Sequence, residues 1–139
     1  MTLYQSFRKY LKKKNIEVEQ GSIEGVQIIF RHDNLYYAYI YDAGTPYYYR
    51  LLLPRISELY QNNEAELYRI ALEASAEFKV GKLVIIENMI WASFEQIILD
   101  TDADNTEIFD TGIRVLSGLY QRISSYINSH GHANPRENE

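Results

Sequence analysis

The sequence predicts a single α+β domain in the order α-β-β-β-α-β-β-α, an antiparallel sheet with its helices packed on one face. Leu35 to Leu53, LYYAYIYDAGTPYYYRLLL, holds seven of the thirteen tyrosines, at 36, 37, 39, 41, 47, 48 and 49. Tyrosine favours strands, and Asp42-Ala43-Gly44-Thr45-Pro46 breaks the run into two of them. From about Phe78 the apolar period is again two, through KVGKLVIIENMIWASFEQIIL. Both flanks carry apolar residues at helical spacing instead.

The first helix follows from Leu3, Phe7, Tyr10 and Leu11, with Thr2 as N-cap and Asn15 at its end. Arg8, Lys9, Lys12, Lys13 and Lys14 read as a solvated face with cations at the negative end of the helix dipole. After Gly21 and Gly25, Val26, Ile28 and Phe30 alternate with Gln27, Ile29 and Arg31 as the first strand. A two-residue turn at Asp33-Asn34 pairs Phe30 with Tyr37, Ile28 with Tyr39 and Val26 with Tyr41. A three-residue turn at Ala43-Gly44-Thr45, with glycine at positive φ, pairs Tyr41 with Tyr47, Tyr39 with Tyr49 and Tyr37 with Leu51. The core face then collects Val26, Ile28, Phe30, Tyr37, Tyr39, Tyr41, Tyr49, Leu51 and Leu53. The opposite, mixed face collects Gln27, Ile29, Arg31, Tyr36, Ala38, Ile40, Tyr48, Arg50 and Leu52.

Pro54 ends the third strand, because it has no N–H for a ladder. Asn63 and Glu66 make a capping box for a second helix with the stripe Leu67, Ile70, Ala71 and Ala74. A turn at Glu87-Asn88 puts Leu83, Ile85, Ile90, Ala92 and Phe94 on the core side of the second hairpin. Val80, Lys82, Val84, Trp91, Ser93 and Glu95 fall on the other. Asp104 and Glu107 resemble another box, opening a last helix on Phe109, Ile113, Leu116, Tyr120, Ile123 and Ile127. Gly112 and Gly118 inside it suggest close approach to another backbone. The domain is expected over 1–128, with a disordered tail over 129–139.

Composition narrows the function. A net charge of -5 disfavours a general phosphate-backbone binder. With no cysteine there is no disulfide framework, thiol nucleophile or cysteine metal site. The N-terminal stretch lacks the apolar run of a signal peptide, and no stretch approaches membrane-spanning length. A cytoplasmic protein without membrane contact is the expectation.

The order of helix, three-strand meander, helix, hairpin and last helix resembles the type III secretion chaperone-like fold. It resembles in particular the YbjN-like bacterial group. The stretch that carries the resemblance is ALEASAEFKVGKLVIIENMIWASFEQIIL, followed by an acidic loop and an amphipathic helix. It implies a small acidic homodimer that binds a partner's extended segment without nucleotide, and no catalytic residues.

Candidate chemistry is thin. Asp100, Asp102 and Asp104 match positions 1, 3 and 5 of a calcium loop, and Asn105 replaces its usual glycine. Thr111 stands where the bidentate glutamate belongs, so no metal is expected. His32 lies in a turn, and His130 and His132 lie in the tail. Glu87, Glu95 and Asp100 could in principle pair as acid and base, but the sequence gives no reason to place them in one pocket. No cofactor is expected. The mixed sheet face is the better candidate: Trp91, Tyr36, Tyr48, Arg50, Ile29, Ile40, Leu52 and Val84 have the composition of a protein-binding patch. The expected function is a non-enzymatic, chaperone-like module that binds another protein or its own copy, as a homodimer, through a sheet face or edge. The alternatives are a single-stranded nucleic-acid binder using the aromatic face and an enzyme of unrecognised type.

Overall fold

A computed structural model describes residues 1–54, 69, 72–73, 76, 81–86 and 89–130, with only the backbone of Ile85, Ile86 and 126–130. Of the expected second helix, residues 69, 72, 73 and 76 are described and are helical; its Asn63–Glu66 box and apolar stripe, Val80, the Glu87-Asn88 turn, His132 and the tail beyond 130 lie outside the described residues.

The described elements are α1 (Leu3–Lys13), β1 (Gln27–His32), β2 (Leu35–Ile40), β3 (Tyr48–Leu53), β4 (Gly81–Ile86), β5 (Met89–Ile97) and α2 (Thr106–His130). The strands form one antiparallel sheet in the order β1-β2-β3-β5-β4. This is the α+β fold expected.

Local chemistry explains the element ends. Thr2 Oγ1 accepts the Gln5 N–H at 3.1 Å, while Gln5 Oε1 accepts the Thr2 N–H at 2.9 Å, a full capping box. At the other end of α1, Asn15 turns left-handed with φ 61, and the Ile16 N–H reaches back to the Leu11 carbonyl at 2.9 Å. The Asn15 N–H meets the Lys12 carbonyl at 3.1 Å, completing a Schellman closure. Asp33 and Asn34 have φ 53 and 67, the mirror-image turn that matches strand twist, and Phe30 lies opposite Tyr37 as expected.

The second register differs from the expectation. Tyr39 lies opposite Leu51, not Tyr49, and Ile40 opposite Arg50. The connection is longer than three residues because two turns follow one another. The Thr45 N–H bonds the Asp42 carbonyl at 2.9 Å, and the Tyr48 N–H bonds the Thr45 carbonyl at 3.1 Å. Asp42 Oδ1 also accepts the Gly44 N–H at 2.8 Å, and Gly44 is not among the residues with positive φ. The slip is two residues, so each side chain keeps its face. Tyr39 and Tyr49 become diagonal neighbours, with ring centroids 5.5 Å apart.

The core lies between the sheet and both helices. Leu3, Phe7 and Leu11 of α1 and Phe109, Leu116, Leu119 and Ile123 of α2 are buried against Ile28, Phe30, Tyr37, Tyr39, Tyr49, Leu51, Ile90, Ala92 and Phe94. Phe7 is central: its ring lies 4.8 Å from Tyr39, 5.5 Å from Tyr49 and 5.1 Å from Phe109. Two details depart from the expectation. Val26, placed in the core, is 47% exposed because it belongs to the turn before β1, where its N–H bonds the Ile23 carbonyl. Leu119 joins the buried side of α2, while Tyr120 is half-buried.

The helix glycine also has an internal explanation. A Cβ on Gly112 would stand 2.9 Å from Cδ2 of Phe94, so the close approach is between α2 and its own sheet. The hydroxyls of Tyr37, Tyr39 and Tyr49 are buried without a hydrogen-bond partner among the described residues; Ser117 is near the Tyr37 hydroxyl without hydrogen-bonding geometry.

Candidate partner-binding face of the sheet

One sheet face carries both described helices, and the other is the candidate site. Alternation along each strand sends Ile29, Tyr36, Ile40, Tyr48, Arg50, Leu52, Val84 and Trp91 to that outer face, all eight residues singled out from the sequence. Trp91 stands opposite Val84 as expected and is half-buried; Val84 is exposed. Ile29, Ala38, Ile40 and Leu52 are half-buried, and Tyr36 is 51% exposed. Ile97, opposite Tyr48, is 59% exposed and was missed. Continuing the two-residue period from Trp91 through Ser93 and Glu95 would have found it.

The polar centre of this face is Glu95. It sits opposite Arg50 on β3, and Ser93 sits opposite both Leu52 and Lys82. One carboxylate oxygen accepts from the Tyr48 hydroxyl and takes the Lys82 ammonium at 2.9 Å. The other accepts from the Ser93 hydroxyl at 2.6 Å and faces Arg50 Nε at 3.7 Å. Partial burial pushes the Glu95 carboxyl up, but the hydrogen bonds from Ser93, Tyr48 and Lys82 outweigh it and hold the group down at about 2. Such a carboxylate is a poor general base near neutral pH. Sequence alternation placed Lys82, Ser93 and Glu95 on this face but gave no sign of their convergence.

At the rim, the Arg31 guanidinium lies 5.7 Å from the centroid of the Tyr36 ring and donates to Asn34 Oδ1 at 2.8 Å. The outer edge of β1 is sealed by the segment before it. The Glu19 N–H bonds the Ile29 carbonyl at 2.7 Å, and Ser22 Oγ accepts the Ile29 N–H at 2.9 Å.

Other candidates are weaker. A cleft of about 1040 Å³ opens between the end of α1, the β1–β2 turn and α2, lined in part by Tyr10, Lys14, His32, Asp110 and Arg114. Its charges are partly neutralised in place: Asp110 accepts from Tyr10 and meets Lys14 at 3.4 Å, and His32 meets Asp33 at 3.5 Å. In the acidic loop, Asp102 takes the N-terminal ammonium at 3.2 Å, and its N–H bonds Asp100 Oδ1 at 3.1 Å. Asp104 accepts from the Thr106 N–H at 3.0 Å, two residues on, in place of the box expected with Glu107. The described residues hold no group of three or more potential metal ligands. No described helix is long and apolar enough to cross a membrane.

No protein-family profile matches the chain, and no curated protein matches it. Solved structures do. An uncharacterized protein from Methanothermobacter thermautotrophicus matches at TM-score 0.62 and 11% identity, over 91% of this chain and 97% of that one. YbjN from E. coli matches at TM-score 0.55 and 10% identity, over 92% of this chain and 93% of that one. Identities this low speak for the fold alone: the chain has a YbjN-like fold.

Proposed function

We propose that the protein is a non-enzymatic, chaperone-like binding module that takes another polypeptide, a partner protein or a second copy of itself, on the outer face of its sheet. The observation that carries this reading is the half-apolar outer face. Exposed Val84, Ile97 and Tyr36 surround half-buried Trp91, Leu52 and Ile40, while both described helices cover the opposite face. Contiguous apolar surface of this kind marks interaction sites, and Trp, Tyr and Arg carry much of the energy at interfaces. The saturated Glu95 gives the face a fixed polar centre rather than a reactive one.

Trp91→Ala is the test. Sedimentation equilibrium at micromolar concentration follows self-association, and panning a displayed random-peptide library follows binding of other chains. The unsubstituted protein should dimerise or enrich peptides. The variant should lose that binding while its urea stability falls by about 1 kcal/mol or less, because Trp91 is only half-buried. A stability loss of several kcal/mol with binding unchanged would make Trp91 a core residue and remove the proposal.

A further inference from the structure

The charges on the outer face are sorted against those of the chain. Along the described strands this face carries Arg31, Arg50 and Lys82 against the single carboxylate Glu95. That is a surplus of positive charge on a chain of net charge -5. Glu95 is already occupied by Tyr48, Ser93 and Lys82. Arg31 has no carboxylate partner among the described residues, and the Arg50 and Lys82 side chains are 46% and 61% exposed. The cations therefore keep free donors, while the one anion is saturated.

The cations are also spread over the whole width of the described sheet. Arg31, Arg50 and Lys82 belong to β1, β3 and β4, the first, third and fifth strands across the sheet. Successive cations are two strand spacings apart across the sheet, roughly 10 Å, and are staggered along it, with Arg31 level with Tyr36, Arg50 with Ile40 and Lys82 with Ser93. Trp91, Leu52 and Ile40 lie among them and supply the apolar contact.

Resting on the reading of this face as a binding surface, we infer that its occupant is an acidic, amphipathic segment of a partner protein, with apolar side chains on the Trp91–Leu52 patch and carboxylates meeting Arg31, Arg50 and Lys82. A second copy docked face to face would set the two positive surpluses against each other. A nucleic-acid strand would find three cations here, and beyond them a chain whose remaining charge is strongly negative.

The experiment uses the full chain and fluorescence anisotropy with three labelled probes. The first is a peptide of about 12 residues, long enough when extended to cross five strands, alternating leucine and phenylalanine with aspartate and glutamate. The second keeps its apolar residues and replaces each acid with lysine. The third is a single-stranded RNA of mixed sequence. The acidic peptide should bind at least about tenfold more tightly than the lysine peptide. Arg50→Gln with Lys82→Gln should remove most of that preference, and Trp91→Ala should weaken binding of both peptides. Arg31→Glu, remote from the Glu95 cluster, should give the same direction of change if the double variant folds poorly.

Equal binding of both peptides, lost together in Trp91→Ala, overturns the acidic partner and leaves the binding face standing. Tighter binding of RNA than of either peptide, falling steeply with salt, overturns it in favour of a nucleic acid. Self-association sensitive to Trp91→Ala, with no probe bound, overturns it in favour of a second copy. No binding and no self-association overturns both readings.

Discussion

Tyr49→Phe should make this protein more stable. Tyr49 is completely buried, and its hydroxyl has no hydrogen-bond partner among the described residues. In the unfolded chain that hydroxyl is hydrated, so folding strips its water without replacement, at a cost of about 1–3 kcal/mol. Phenylalanine keeps the ring and its neighbours, Phe109 at 5.0 Å and Phe7 at 5.5 Å between centroids. Against the gain stands the small void left by one oxygen, worth about half of it by the cavity penalty. The net expectation is about 1 kcal/mol, or roughly 3–5 °C in melting temperature for a domain of this size. Urea unfolding at neutral pH measures it, with Tyr10→Phe as the contrast. The Tyr10 hydroxyl donates to Asp110, so its loss should destabilise by about 1 kcal/mol. A second signature lies in alkali. Burial pushes the Tyr49 phenol well above its ordinary value and the Tyr37 phenol to about 12. Above pH ~10 the unfolded tyrosines release protons that the folded ones keep, so stability falls as pH rises. Tyr49→Phe should make that fall shallower. If Tyr49→Phe loses as much stability as Tyr10→Phe, the hydroxyl has a partner, and the account of an unpaired buried group is wrong.

Glu95→Gln tests the polar centre. The native carboxyl is held down at about 2, so its stabilisation is present above the unfolded value of 4.5 and is lost as pH falls toward 2. The contribution is at most about 3 kcal/mol, and less because the group keeps some solvent contact. Urea midpoints at pH ~7 and ~3 should drop further between them in the native protein than in the variant; equal drops would refute it. Gly112→Ala should destabilise by about 1 kcal/mol, since a Cβ 2.9 Å from Phe94 outweighs the helix-propensity gain of about 1 kcal/mol. A higher urea midpoint would show that the Phe94 ring yields. Millimolar calcium should leave the melting temperature unchanged, because Asp102 and Asp104 already serve the N-terminus and the Thr106 N–H; a rise of several degrees, abolished by Asp102→Ala, would show a site.

The hairpins were legible because alternation is local. Asp33-Asn34 fixes one register through left-handed backbone that asparagine and aspartate tolerate, and the pairing of Val84 with Trp91 follows from the apolar–polar sorting of two short strands. The β2–β3 register was not legible. It depends on two consecutive turns closed by the Asp42 side chain and by carbonyls, which residue type alone does not specify. The outer face could be assembled residue by residue, yet its organisation around Glu95 could not. Tyr48, Lys82 and Glu95 come from three strands, and only the order β3-β5-β4 brings them within reach. Gly112 shows the same limit, since its meaning depended on whether the neighbouring surface was Phe94 of this chain or another molecule.

The strap that the Glu19 N–H and the Ser22 hydroxyl lay along β1 has a consequence for assembly. Growth of a sheet from molecule to molecule needs two receptive edges, one to receive a strand and one to offer the next. Here the Ile29 amide and carbonyl are both occupied by the chain's own segment. Strand addition at β1 would first have to displace this segment. With one edge of the sheet closed, an edge-to-edge encounter of two copies would end at a pair, whereas an unstrapped β1 would permit an open-ended fibre. The strap acts as a chain terminator, so the outer face can stay half-apolar without the protein being drawn into continuous sheets.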